Sequence, residues 1–380
     1  MVIGFKDAIK LIGVTVITFC AVFVCTFFLN FRLDAQSIKD SITGEDAMVL
    51  YNAQMSTATF TCAISGGFLG LIAVVMLVFY IKLYIADNSV KIGLLKAMGY
   101  SDTSIALQFS VFGVSVFIGT ALGFCGGFAM MPTVYNSMTI AGLPEIAINF
   151  HFQLLILLVA VPTLVFSGLA CLFAFLYLRR PVNEMLRGVT VKEKTIKKRS
   201  RDRARGFLTE MCFKTICSKK LLAFFVAFAC FCFSAMIQMA VSMYELSTVT
   251  MGVIIFVLGI VVSVTSVLIA VTTVINANKK NVAMMKAFGY SLKDCALSVL
   301  GGYHIFAAVG FALGTVYQFG LLKLMVDVVY IDVLSIPDYG FNVPVFFITL
   351  AAFVVFYEAV MFFYVYAISK ISVKEVMTEN

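Results

Sequence analysis

Residues able to do chemistry are scarce in this chain, and their placement limits what they can do. Glu358 is the one acidic residue well inside an apolar run, that of residues 343–367. A carboxylate is costly to desolvate there, so it must be protonated, paired or open to a watery cavity. Two readings stand side by side: a substrate or proton contact, and a neutral carboxyl bonded to a neighbouring helix. Its counterpart in the first half of the chain is Ser167, so the feature is asymmetric. His151 and His304 lie at the outer start of one apolar run and in the inner third of another. Neither comes with the nucleophile and orienting group that covalent or general-base catalysis needs. Interfacial or interhelical hydrogen bonding is the expectation for both. The ten Cys fall in apolar runs or on the inner face, as small packing residues rather than disulfide or zinc ligands. No G-x-x-x-x-G-K-[ST] loop occurs, so nucleotide phosphates have no usual cradle. The sequence predicts no catalytic residue and no metal site.

The most specific pattern is a polar segment that occurs twice. Residues 91–101 read KIGLLKAMGYS and residues 281–291 read NVAMMKAFGYS. Lys96, Ala97, Gly99, Tyr100 and Ser101 recur as Lys286, Ala287, Gly289, Tyr290 and Ser291. The remaining positions mostly exchange one apolar residue for another. In the first copy Asp87, Asn88 or Ser89 can cap a helix at its amino end, and Gly99 sits where a left-handed residue would close it. Ser101 can then cap the next helix, and Ser291 with Asp294 has capping-box spacing. Each copy is therefore expected to be a short surface helix bounded by turns. Val90, Leu94, Ala97 and Met98 follow helical spacing along it.

The elements that carry these segments are membrane spans. Hydrophobic residues make up 62% of the chain, far above the soluble range. Eight apolar runs can cross a hydrocarbon core: 11–31, 60–83, 105–130, 152–178, 221–243, 250–275, 297–322 and 343–367. They are continuous rather than alternating, which predicts helices and not a barrel. The first run lacks a small-residue cleavage site and reads as a retained helix. With the amino terminus inside, all of the 28 Lys and Arg except Arg32, Lys39 and Lys323 fall in cytoplasmic segments. The outer segments carry Asp34, Asp40, Glu45, Asp46, Glu145, Glu245, Asp327, Asp332 and Asp338 instead. The positive-inside rule then sets both termini and both repeated connectors on the cytoplasmic side.

The chain reads as an all-α polytopic membrane protein with eight transmembrane helices in two parallel four-helix repeats. The expected parts are a first repeat over 1–186, a basic cytoplasmic linker over 187–206, and a second repeat over 207–380. RPVNEML at 180–186 lies against ISVKEVM at 371–377, with Val182/Val373 and Glu184/Glu375 identical. Duplication in one orientation implies repeats related by an axis along the membrane normal. The basic linker suits anionic lipid; without interleaved aromatics it does not suggest nucleic acid. Gly66, Gly67 and Gly70, and the pair Gly119 and Gly123, permit close helix approach.

A four-span unit with an LLKAMGYS-like connector after its second span and a VxEML-type tail resembles the FtsX/MacB-type ABC transporter permease domain. The resemblance covers both halves, so the chain looks like two fused domains of this kind. It implies a permease subunit whose coupling helices fit a groove on an ATP-binding cassette ATPase. By position these would be Lys91, Leu94, Leu95, Lys96, Met98, Gly99, Tyr100 and Ser101, and Asn281, Met284, Met285, Lys286, Phe288, Gly289, Tyr290 and Ser291. Two such elements would serve two ATPase subunits, which would bind the ATP and Mg; this chain would hold no cofactor. Many members carry a sizeable extracellular domain between the first and second spans. Here only 32–59 and 244–249 lie there, so an extracellular or membrane accessory protein, or handling of the substrate within the bilayer, would replace it.

The resemblance implies export of a peptide, antibiotic or amphiphile, or mechanotransmission, in a bacterial cytoplasmic membrane. An ion-driven carrier with parallel repeats is the alternative, and it calls for matched intramembrane charges in both halves. Glu358 is unmatched. An ATPase-coupled regulator of a cell-wall hydrolase or sensor is a third reading.

Overall fold

A computed structural model describes residues 11–39, 42, 45–138, 146–179, 181–182, 185, 216, 220–246, 249–291, 294–295, 301–329 and 340–369. The basic run, most of the tail at 180–186 and all of that at 371–377 lie outside these, as do Cys212 and Cys217. Regular structure among the described residues is helical throughout. In order the helices are α1 (Ile12–Gln36), α2 (Glu45–Asp87), α3 (Ser89–Ala97), α4 (Asp102–Leu107), α5 (Phe112–Met138), α6 (Phe152–Leu155) and α7 (Val161–Leu178). They continue as α8 (Lys220–Leu246), α9 (Val249–Ala287), α10 (Tyr303–Val329) and α11 (Val343–Ser369). A 3-10 turn at Gln108–Val111 joins α4 to α5, and a π-helical turn at Ile156–Ala160 joins α6 to α7. Among the described residues, eight stretches are long and apolar enough to cross a membrane, from Ile12–Gln36 to Val343–Phe362. Helices satisfy every backbone donor and acceptor internally, which lipid cannot do.

The chain divides into two compact units. The first is Met1–Lys192 with Thr248–Met251 and Leu324–Asp338, and the second is Glu193–Ser247, Gly252–Lys323 and Tyr339–Asn380. In the first, α1 is central and largely buried. Gly119, Gly123 and Gly127 of α5 lie directly on its backbone: a Cβ on Gly123 would stand 2.6 Å from the Phe19 carbonyl oxygen. In the second, Gly310 and Gly314 of α10 lie on Ala227 and Phe231 of α8 in the same way that Gly119 and Gly123 lie on Thr15 and Phe19. Without a hydrophobic drive between helices in lipid, such contact is what packs them. Phe233 of α8 and Phe311 of α10 both meet Phe353 of α11, with ring centroids 5.3 and 4.9 Å away.

Two expectations need correction. Asp34 does not lie in an outer loop; it is in the last turns of α1 and its side chain is fully buried. The second connector is not a separate short helix, because α9 runs unbroken from Val249 through Ala287. Asn88 and Asn278 occupy matched positions, and each Nδ2 donates to the carbonyl four residues earlier (Tyr84 and Val274). Only the first copy surrounds the Asn with Asp87 and Ser89, side chains that compete with the helical backbone; the second has Ala277 and Lys279. There the backbone leaves helical geometry at Asn88, with φ −104° and ψ 19°.

Candidate functional site

Both connectors end in the same backbone geometry. Tyr100 N donates to Leu95 O at 3.2 Å and Gly99 N to Lys96 O at 3.0 Å; Tyr290 N donates to Met285 O at 3.2 Å and Gly289 N to Lys286 O at 3.1 Å. These bond pairs form a Schellman motif, which needs a left-handed residue between them. Gly99 has φ +93° and Gly289 has φ +84°, and no other described residue has positive φ. The chain then restarts as α4 in the first copy, and in the second Asp294 and Cys295 are helical. Ser101 Oγ accepts from Ser104 N at 3.2 Å, and Ser291 Oγ accepts from Asp294 N at 3.3 Å while donating to Asp294 Oδ2 at 2.7 Å. Both glycine caps and both serine caps lie where their spacing predicts.

The apolar stripe of the first connector points outward. Val90, Leu94, Met98 and Tyr100 are exposed, as are Lys91, Gly99 and Ser101, while Ile92 faces inward and is fully buried. In the second, Met284, Phe288 and Tyr290 are exposed with Gly289 and Ser291, and Val282 and Met285 are buried. Leu95 is half-buried. The side chain of Asn281 lies outside the described residues, and Lys286 is half-buried. Lys96 turns away from the surface: its Nζ donates to the Leu178 carbonyl at 2.6 Å and pairs with Asp102 Oδ1 at 2.8 Å. A cation at the carboxyl end of α7 satisfies an orphan carbonyl and the helix dipole together. Lys96 thus ties the first connector to the fourth span. Burial raises the Cys295 thiol above its ordinary range, which leaves it protonated and not a nucleophile.

Two polar sites in the spans draw partners from distant segments. In the first unit the buried Asp34 carboxylate accepts from Asn30 Nδ2 at 2.7 Å and from Tyr135 OH at 2.8 Å. His151 Nε2 lies 2.9 Å from Asp34 Oδ1, and Asn149 N donates to Oδ2 at 3.4 Å. The sequence showed His151 as a hydrogen-bonding residue but gave no sign of this partner set. In the second unit Glu358 meets His304, with Oε1 and Nε2 2.8 Å apart. Carried along the glycine register, Gly113 stands where the second unit has His304, and it packs on Ser167. A further buried network in that unit joins Gln238 to Ser234 and Thr315, and Gln318 to Ser242.

This is the architecture of a multi-pass helical membrane protein with two like-built halves, each carrying a structured connector after its second span. The profile of the FtsX-like permease C-terminal family matches residues 63–182 and again residues 253–373, together more than half of the chain. The chain belongs to the FtsX-like permease family. Such permeases are in general the membrane subunits of ABC transporters, not themselves catalytic, and work with an ABC ATPase. No curated protein and no solved structure matches the chain.

Proposed function

We propose that this chain is the permease of an ATP-driven exporter in a bacterial cytoplasmic membrane, with one ATPase subunit docking on each connector. The supporting observation is the pair of outward apolar stripes, Leu94, Met98 and Tyr100 in one copy and Met284, Phe288 and Tyr290 in the other. Each stripe ends in the same glycine-closed turn, so both present a fixed rather than a loose surface. Apolar groups held out at matched positions fit a protein groove better than water. The charge distribution supports a cytoplasmic side for this surface, where ATP and Mg would bind to the partner. Closure of an ATPase dimer would push on both connectors. Through Lys96 the push in the first unit would reach the end of the fourth span. The cargo we favour is an amphiphile, such as a peptide or antibiotic, handled from within the bilayer.

Valine at Gly99 or Gly289 tests this reading. A β-branched residue is strained at positive φ by about 1–2 kcal/mol, enough to open the turn without unfolding a span. With permease and ATPase reconstituted together, each single variant should lower permease-stimulated ATP hydrolysis, and the double variant should abolish it. Full stimulation of the double variant would refute the docking assignment.

A further inference from the structure

The His304–Glu358 pair has no part in docking an ATPase. His304 stands in the first turn of α10 and Glu358 lies in the connector-side half of α11. Val343 to Glu358 covers roughly 22 Å of helix in a hydrocarbon core about 30 Å deep. Yet the two side chains are 44% and 55% exposed. Val354, Val355 and Phe362, at helical spacings from Glu358, are exposed as well, and so is Ile305 beside His304. Among the described residues the surface around the pair is therefore apolar, and the pair lies open on it.

The hydrogen bonds count the protons. His304 Nδ1 is 3.2 Å from the Gly301 carbonyl, which can only accept, so Nδ1 carries a hydrogen. Nε2 and Glu358 Oε1, 2.8 Å apart, then need one further proton between them, on the carboxyl or on the ring. In either form the pair is neutral overall, which makes it tolerable in lipid. Glu358 Oε2 has no hydrogen-bond partner among the described residues. Titratable groups described nearby include Tyr357 of α11, whose ring meets His304 edge-on at 5.5 Å, and Tyr303 of α10 and Cys230 of α8, both within electrostatic reach of Tyr357. None of them supplies a charge at neutral pH. Loss of the shared proton would leave one negative charge on this apolar surface.

We propose that His304 and Glu358 form a lateral site for the ammonium head of an amphiphile, which binds in exchange for the shared proton. One proton leaves to water at the connector-side surface as one cationic head pairs with the carboxylate, so charge balances. The amine donates to Glu358 while the acyl chain lies along Val355 and Phe362. At the matched place in the first unit, a Cβ on Gly113 would stand 2.9 Å from Ser167 Cβ, leaving neither room nor charge. An ammonium head could come from an aminoethyl lipid of the bilayer or from an incoming cationic amphiphile.

The full chain in phosphatidylglycerol vesicles, titrated with dodecylamine in a weakly buffered pH indicator, tests the exchange. Wild type should bind the amine and release one proton for each molecule bound. Glu358→Gln should bind about tenfold more weakly, the loss of one charge-assisted bond, and release none. Ser167→Ala should match wild type. Native mass spectrometry from mixed phosphatidylethanolamine and phosphatidylglycerol vesicles separates the two sources. Selective retention of the ethanolamine lipid, lost in Glu358→Gln, assigns the head to the bilayer. Dodecylamine binding with no lipid selection assigns it to an incoming amphiphile. Equal binding by wild type and a well-folded Glu358→Gln would overturn the proposal, and so would binding by wild type without proton release. The assay contains no ATPase, so its failure leaves the docking reading untouched.

Discussion

The two units repeat their backbone and differ in their polar chemistry. Gly119 and Gly123 lie on the first span as Gly310 and Gly314 lie on the fifth, and both connectors close at a left-handed glycine. On the same register, Leu246 stands where α1 has Asp34, and Val326 where α5 has Tyr135. The second unit instead holds His304 and Glu358, where the first has Gly113 and Ser167. What is duplicated is what sets helix distance and the connector turn; what diverged is the polar chemistry inside the spans. Duplicated geometry suits two equivalent ATPase subunits. Diverged chemistry suits one cargo handled asymmetrically.

The shared part should break in both units alike, and with the largest effect. Gly119→Leu and Gly310→Leu each force a side chain into the backbone of the facing helix, where overpacking costs about 1–3 kcal/mol or more. Both variants should lose folded protein by size-exclusion chromatography in detergent; tolerance of either would mean that the two interfaces are not equivalent. The diverged part should break in one unit only. Asp34→Ala removes the acceptor of Asn30, Tyr135 and Asn149 and the partner of His151. Losing this buried acceptor costs about 1–3 kcal/mol, read as a lower melting temperature. Connector function should survive, since the cluster lies at the opposite end of the spans. Smallest of all should be the effect of Glu358→Gln on melting, because the pair is half-exposed and already neutral overall; its loss should show in ligand binding alone.

Much of this was legible in the sequence because the causes are local. Span number follows from apolar run length, the connector turns from Gly99 and Gly289, and the restart caps from Ser101 and Ser291. The Asp34 cluster was not legible. A charged residue at the edge of an apolar run reads as loop, and apart from Asn30 its partners, Tyr135, Asn149 and His151, arrive from more than a hundred residues away. The His304–Glu358 contact was hidden for the same reason, although each residue stood out singly. The unbroken α9 escaped because its difference from the first copy lies just outside the repeated segment, at Asp87 and Ser89 against Ala277 and Lys279. Lys96 stood out in the sequence only as part of the repeated segment, and the tertiary fold turns it to the Leu178 carbonyl.

The central claim is that both connectors dock an ATPase, and site-specific photo-cross-linking tests it most directly. Met98 and Phe288 are 67% and 78% exposed at matched positions of the two connectors. Leu122 and Leu313 are each 57% exposed at matched positions in the spans. With a photoreactive residue at each site in turn, positions 98 and 288 should both cross-link to the ATPase subunit in membranes, and positions 122 and 313 should not. Cross-links from neither connector, or from only one, would contradict a permease that docks two ATPase subunits.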